Sequence, residues 1–301
     1  MIAARQIAFG RGAKKEESPA YWGLCLTAEE AGSTVAMQAV GSAPAVTLET
    51  SYDGEIWEPF YVGETVINLP KVRDKVYFRA GAGGNTRINK EALNNYNHFA
   101  LSGSIAASGD LTSLLNADNP MDIITQNFCF SCLFYNQSSL VSAPELNATK
   151  IGIQTYSHML RGTSITVAPD LPATTINTSC YMALFQNCSL LRRAPKILPA
   201  TELPGHCYQF MFSACAALEN APELPASILN TYSYYYMFYN SKRIKYIKTK
   251  MTSFSTTGNI GWLLDVAPTG TFICPTALGT NETIQRGASY CPEGWTVINE
   301  D

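Results

Sequence analysis

Three histidines, His98, His158 and His206, are the side chains of this 301-residue chain best suited to moving protons near neutral pH. A general base works when another group orients it, and His158 has no Asp or Glu at helical spacing. His206 directly precedes Cys207, so a cysteine nucleophile with a histidine base is conceivable. Adjacent residues of a helix point in different directions, however, and Cys207 falls in an apolar column described below, which argues against that pairing. Cys129-x-x-Cys132 is a lone CxxC. A zinc site needs a second ligand pair, and a redox motif needs a βαβ context; neither accompanies it. GAGGN (81–85) lacks the third glycine of a dinucleotide fingerprint. The expectation is a protein with no catalytic residue, no metal and no cofactor. The sequons at Asn136, Asn147, Asn177, Asn187 and Asn281 matter only in a eukaryotic secretory pathway.

The elements that carry these residues repeat. An Ala-Pro block returns with its prolines at Pro144, Pro169, Pro195 and Pro222, in steps of 25, 26 and 27 residues. A fifth copy, SYYYMFYNSKRIKYIK (233–248), has Lys248 in place of the proline. A fixed period of this size means stacked units sharing one core. In the third copy Cys180, Tyr181, Leu184, Phe185 and Cys188 recur at i, i+1, i+4, i+5 and i+8, which predicts one apolar helix face. The columns run through the copies: Phe134, Leu160, Phe185, Phe212, Phe238; Phe130, Tyr156, Tyr181, Tyr208, Tyr234; and the small Cys129, Thr155, Cys180, Cys207, Ser233 and Gln137, Thr163, Cys188, Cys215, Ser241. Leu140, Ile165, Leu191, Leu218 and Ile244 open an extended half, expected to stack as short parallel strands ending at the proline. Asn136, Asn187 and Asn240 share one column and are expected to bond at helix ends.

The phrase C-Y-x-x-M-F-x-x-C-x-x-L-x-x-A-P-x-L-P-A-T resembles the BspA-like leucine-rich repeats of Bacteroidetes surface proteins, and similar repeats of gut bacteriophages, crAss-like phages included. The match covers roughly residues 121–250, and SYDGEIWEPF (51–60), FALSGSIAASGDLTSLLN (99–116), VAPTGTFICP (266–275) and GWTVI (294–298) are similar to the usual neighbours of such repeats. The resemblance implies an α/β leucine-rich-repeat-like solenoid used for display or adhesion, with no catalytic role for the repeat.

Composition sets bounds. Net charge is −3 and charged residues are 15%, which suggests neither a nucleic-acid binder nor a disordered acidic tail. No apolar run reaches the roughly 20 residues that span a bilayer. Residues 1–18 read as a polar arm carrying Arg5, Arg11, Lys14 and Lys15, without an apolar signal core, and the arm is expected to anchor the chain to its neighbours. Residues 19–98 hold short β-rich runs with a hairpin signal at Asp53-Gly54, which predicts a small immunoglobulin-like sandwich. The solenoid with its N-terminal cap is expected over 99–250 and a β-rich C-terminal cap over 251–301. The nine cysteines are expected to be thiols, with Cys274 and Cys291 the one pair placed to bridge. The candidate surface contact is Tyr232, Tyr235 and Tyr239 with Lys242, Arg243 and Lys245. Together these readings predict a homo-oligomeric virion component, a head fibre or capsid decoration protein, that touches host-surface protein or glycan. A phage tail appendage and a bacterial surface adhesin are the alternatives.

Overall fold

The computed structural model describes residues 5–6 and 22–301. Among these, fifteen strands follow in chain order: β1 Arg5–Gln6, β2 Cys25–Ala28, β3 Ser33–Val40, β4 Leu48–Ser51, β5 Glu58–Phe60, β6 Thr65–Leu69, β7 Lys75–Ala80, β8 Tyr96–Ser102, β9 Ile105–Ser108, β10 Ile123–Ile124, β11 Leu140–Ser142, β12 Lys150–Ile151, β13 Tyr246–Lys248, β14 Gly270–Cys274 and β15 Trp295–Asn299. The helical segments among the described residues are two 3-10 turns, Leu111–Leu114 and Thr276–Leu278.

The first nine strands build two sheets. One runs β1-β6-β3-β8, and the other runs β9-β2-β7-β4-β5 with β11 added beside β9. Alternation sets their inner faces: β3 buries Ser33, Val35 and Met37, β6 buries Thr65, Ile67 and Leu69, and β7 buries Val76, Phe78 and Ala80. The two sheets meet where Phe78 stands edge-on to Phe99, with ring centroids 5.1 Å apart.

The repeats form a β-solenoid, and here the expected α/β leucine-rich-repeat architecture is overturned. No helix covers the segment predicted as the helical half of each unit. Each is instead a run of tight turns. In the first coil the Phe130, Cys132 and Phe134 amides donate to the Thr155, Ser157 and Met159 carbonyls of the next coil, at 2.9, 3.0 and 2.9 Å. The residues between them, Ser131, Leu133 and Tyr135, donate back three positions, to Phe128, Phe130 and Cys132. Half of the donors thus stay within the coil and half build a ladder between coils. A left-handed residue stands at every fourth position: Phe128, Cys132 and Asn136, then Ser179, Ala183 and Asn187, then His206, Phe210 and Ala214. Each non-glycine residue held there costs about 1–2 kcal/mol. Asn is tolerated there better than most, so the column Asn136, Gly162, Asn187, Ala214, Asn240 and Asp265 is a left-handed column rather than a row of helix ends.

Stacked aromatic rings offset that strain. Phe130, Tyr156, Tyr181, Tyr208, Tyr234 and Trp262 form an unbroken pile with centroids 5.8 to 6.1 Å apart. Phe185, Phe212 and Phe238 make a second, at 5.4 and 5.5 Å. All are buried. The second column begins inside the sandwich, where Phe99 of β8 stacks on Phe134 at 4.9 Å. One apolar core therefore runs through sandwich and solenoid.

The extended halves pair in parallel, mostly through single bridges such as Val167 with Arg193 and Ile197 with Glu223. The parallel ladder does not stop at residue 250. β13, β14 and β15 pair in parallel register, with Tyr246 beside Thr271 and Thr271 beside Thr296. The Tyr234, Tyr236 and Phe238 amides donate to the Gly258, Ile260 and Trp262 carbonyls. Residues 251–301 thus extend the same stack.

Candidate functional site: an aromatic ledge on the turn face

The turn runs send two residues of every four into the core and turn the others away from it, where several, Ser131, Cys132, Ser157, His158 and Ala183 among them, are nonetheless buried by neighbouring residues. The inward columns keep their residue type from coil to coil, and the outer ones do not. One outer column reads Phe128, Gln154, Ser179, His206, Tyr232, and another reads Ser131, Ser157, Met182, Gln209, Tyr235. Two more read Cys132, His158, Ala183, Phe210, Tyr236 and Tyr135, Arg161, Gln186, Ser213, Tyr239. Aromatic rings gather in the last two coils of this set.

There they form a connected ledge. His206 lies 5.0 Å from Tyr232, Tyr232 4.9 Å from Tyr235, and Tyr235 4.5 Å from Tyr236. Phe210 contacts Tyr235 and Tyr236 at 5.5 and 5.8 Å, and Tyr236 meets Tyr239 edge-on at 5.3 Å. These rings are half-buried, and Tyr239 is exposed. Gly261 of the following coil makes the room. A Cβ there would stand 2.7 Å from the Tyr236 ring, and its φ of +60° favours glycine. Tyr232, Tyr235 and Tyr239 of the predicted contact surface are brought together with Tyr236 of the same tyrosine-rich copy; His206 and Phe210 belong with them and were not read as contacts from sequence.

The basic half of that surface is only partly compensated. Lys242 and Arg243 are exposed, as is Lys245. Glu219 of the preceding coil takes both Arg243 and Lys245, the latter at 2.7 Å. The Lys245 hydrogen bond and charge, with Arg243 behind them, hold the Glu219 carboxyl below its ordinary range. Lys248 reaches Glu300 at 2.7 Å, and the pair lowers the Glu300 carboxyl and raises the Lys248 ammonium. The ledge is thus an uncharged aromatic surface beside a basic strip in which one carboxylate, Glu219, meets two of three cations.

The other chemistry-bearing residues are dispersed. His206 Nδ1 lies 2.5 Å from Gln209 Oε1 on the outer face, whereas Cys207 points into the core with its thiol pushed well up by burial. His158 is buried with Nδ1 2.7 Å from Ser157 Oγ; burial, then the Arg161 charge, bring it down to about 4. Cys129 and Cys132 are both buried, with burial pushing their thiols up to about 12 and about 11. Cys274 and Cys291 are free thiols, and Arg286 Nη1 lies 3.2 Å from the Cys291 sulfur. Among the described residues no group of His, Cys, Asp and Glu side chains could hold a metal ion, and no helix is long and apolar enough to cross a membrane.

GAGGN lies at the junction of sandwich and solenoid. Asn85 binds Thr47 on one side and the Leu114 and Leu115 carbonyls on the other, and Gly84, at φ +69°, packs on the Leu115 carbonyl. An open cleft of about 630 Å³ beside it is lined by Glu49, Arg79, Asn116, Asp118 and Gln126. Arg79 there is held by Glu49 at 2.7 Å and lies over the Trp57 ring at 4.1 Å. Of the expected arm, Arg5 is in β1, while Arg11, Lys14 and Lys15 lie outside the described residues. No family model, no curated protein and no solved structure matches this chain.

Proposed function

We propose that this chain is a non-enzymatic display protein of a bacteriophage virion, a head fibre or capsid decoration protein, with a tail appendage as a variant of the same role. The observation that carries the display half is the ledge from His206 to Tyr239, six rings in mutual contact on an outer face whose equivalents in the third coil are Ser179, Met182, Ala183 and Gln186. Such rings offer rigid contact area at low entropic cost, which suits recognition of a protein or glycan on the host surface. The virion half rests on the resemblance of the Ala-Pro repeats to those of phage proteins. In this reading the sandwich is an immunoglobulin-like mount, and the partners are copies of the chain and capsid proteins.

Mass spectrometry of gradient-purified virions tests the location. Recovery at a fixed copy number per particle supports the proposal. Recovery only from the bacterial outer surface replaces it with the adhesin reading. Tyr235→Ala with Tyr239→Ala tests the ledge: particles should carry the variant normally yet adsorb to host cells at least about tenfold more slowly. Unchanged adsorption removes the ledge from the mechanism.

A further inference from the structure

The four edges of the two-sheet sandwich are closed in different ways. β8 is closed by the first coil, which accepts from Phe99 N–H at 2.8 Å and from Leu101 N–H through Gln137 Oε1 at 2.9 Å. β9 is closed by β11. β5 carries Glu58 and Pro59, a charge and a residue without a donor, which blunt an edge. The fourth edge, β6, is covered among the described residues only by β1, in parallel, with Arg5 opposite Thr65 and Gln6 opposite Val66.

We infer that β6 is an acceptor edge for the N-terminal strand of a second copy of this chain. Three features point to a partner copy. First, residues 22–24 are fixed by hydrogen bonds to the sandwich, and the fifteen residues 7–21 before them can span up to about 50 Å, so the same two-residue pairing can be made within a chain or between chains. Exchange of an identical element costs little because the contacts are the same. Second, β6 has an apolar rim: Tyr61 and Val72, in the turns at its two ends, are 51% and 52% exposed. A second copy would cover them. Third, the charges complement each other. Glu64 adjoins Thr65, and the exposed Glu29 and Glu30 lie in the turn whose Gly32 N–H binds the Leu69 carbonyl, while the arm carries Arg5, Arg11, Lys14 and Lys15. A tether of this length gives an effective concentration on the order of 1 mM, so the rim contacts are what favour exchange at lower concentrations.

This inference supplies the contact that the proposed homo-oligomer requires, and its test needs no virion. Wild-type chain at about 100 µM should sediment as an oligomer. Removing residues 1–18 should leave it monomeric with an unchanged melting midpoint, and Tyr61→Ser with Val72→Ser should raise the concentration for half-association at least about tenfold. A Gln6→Cys chain mixed with a Val66→Cys chain should give an interchain disulfide on oxidation. A monomeric wild type, an oligomer that survives loss of the arm, or a Gln6→Cys/Val66→Cys double variant that cross-links only within one chain while the mixture gives none would overturn the inference. An oligomer of this kind that is missing from purified virions would sink the virion reading and leave the acceptor edge standing.

Discussion

Cys188 sits in a column whose members are Gln137, Thr163, Cys188, Cys215 and Ser241, and its thiol is a hydrogen-bond donor rather than a filler. Its sulfur lies 3.1 Å from the Leu160 carbonyl, and Cys215 repeats the contact one coil later, 3.1 Å from the Phe185 carbonyl. Ser241 does the same with a hydroxyl, 2.7 Å from the Phe212 carbonyl. The position therefore selects for a small side chain bearing a proton. Cys188→Ser keeps that proton and should change stability by less than about 1 kcal/mol. Cys188→Ala removes the donor. Leu160 C=O keeps its bond from Thr163 Oγ1 at 2.9 Å, so no carbonyl is orphaned, and the loss should be about 1 kcal/mol. Cys188→Val loses the bond and adds volume to a packed site, at about 1–3 kcal/mol in addition. The order Ser, Ala, Val is the reverse of what a purely hydrophobic site gives. Thermal melts of the three variants under reducing conditions decide between them. If Cys188→Ala or Cys188→Val melts higher than Cys188→Ser, the donor column is wrong.

Phe212 is stacked on both sides by Phe185 and Phe238, so Phe212→Ala should cost roughly 3–5 kcal/mol; an unchanged melting midpoint would show the ring is not core. His158 is buried and neutral, with its folded value about 4 against an ordinary 6.5. Because that value is depressed, the unfolded chain takes up the proton first: the contribution is fully present above pH 6.5 and is lost as pH falls towards 4, up to about 3 kcal/mol. His158→Asn, which suits the left-handed backbone there, should flatten the melting midpoint across that window, and an identical pH profile would exclude His158. Arg286 shields the edge of the last strand, donating to the Trp295 carbonyl at 2.8 Å and holding Asn281, whose Oδ1 accepts from Val297 N–H. Arg286→Ala should produce concentration-dependent aggregates in light scattering, and a monodisperse variant with wild-type stability would show that this edge needs no such guard.

The repeat, its columns and the burial of Phe185 and Phe212 were legible because identical side chains recur at a fixed step. The local conformation was not. Apolar residues at i, i+1, i+4, i+5 and i+8 fit a helix of 3.6 residues per turn and equally a run of turns with period four; from i to i+8 the two differ by only about 80° around the axis. What separates them is the column Asn136, Gly162, Asn187, Ala214, Asn240, Asp265, in which all but Ala214 are residue types that tolerate positive φ and are poor choices inside a helix. The continuation past residue 250 was hidden because its Ala267-Pro268 falls out of step with the earlier Ala-Pro blocks. Its trace is Tyr246, Thr271 and Thr296, each 25 residues from the last and paired in register.

The site was half legible for a related reason. Tyr232, Tyr235 and Tyr239 stood out because they are aromatic and lie outside the inward columns. His206 and Phe210 did not, because in a solenoid the neighbour of a residue is one coil away. His206 meets Tyr232, Arg161 lies over Tyr135, and Glu219 binds Lys245, each pair 26 residues apart in sequence. These separations play the part that i, i+4 plays on a helix. Folded into that frame, Arg243 and Lys245 meet Glu219 while Lys242 stays exposed beside them, and the basic patch becomes partly paired. The rings of two successive coils likewise become one ledge. Aromatic stacking between coils needs no exposure, as the buried pile from Phe130 to Trp262 shows. A second pile on the outer face, made where earlier coils do without one, is the feature on which the proposed contact with another molecule rests.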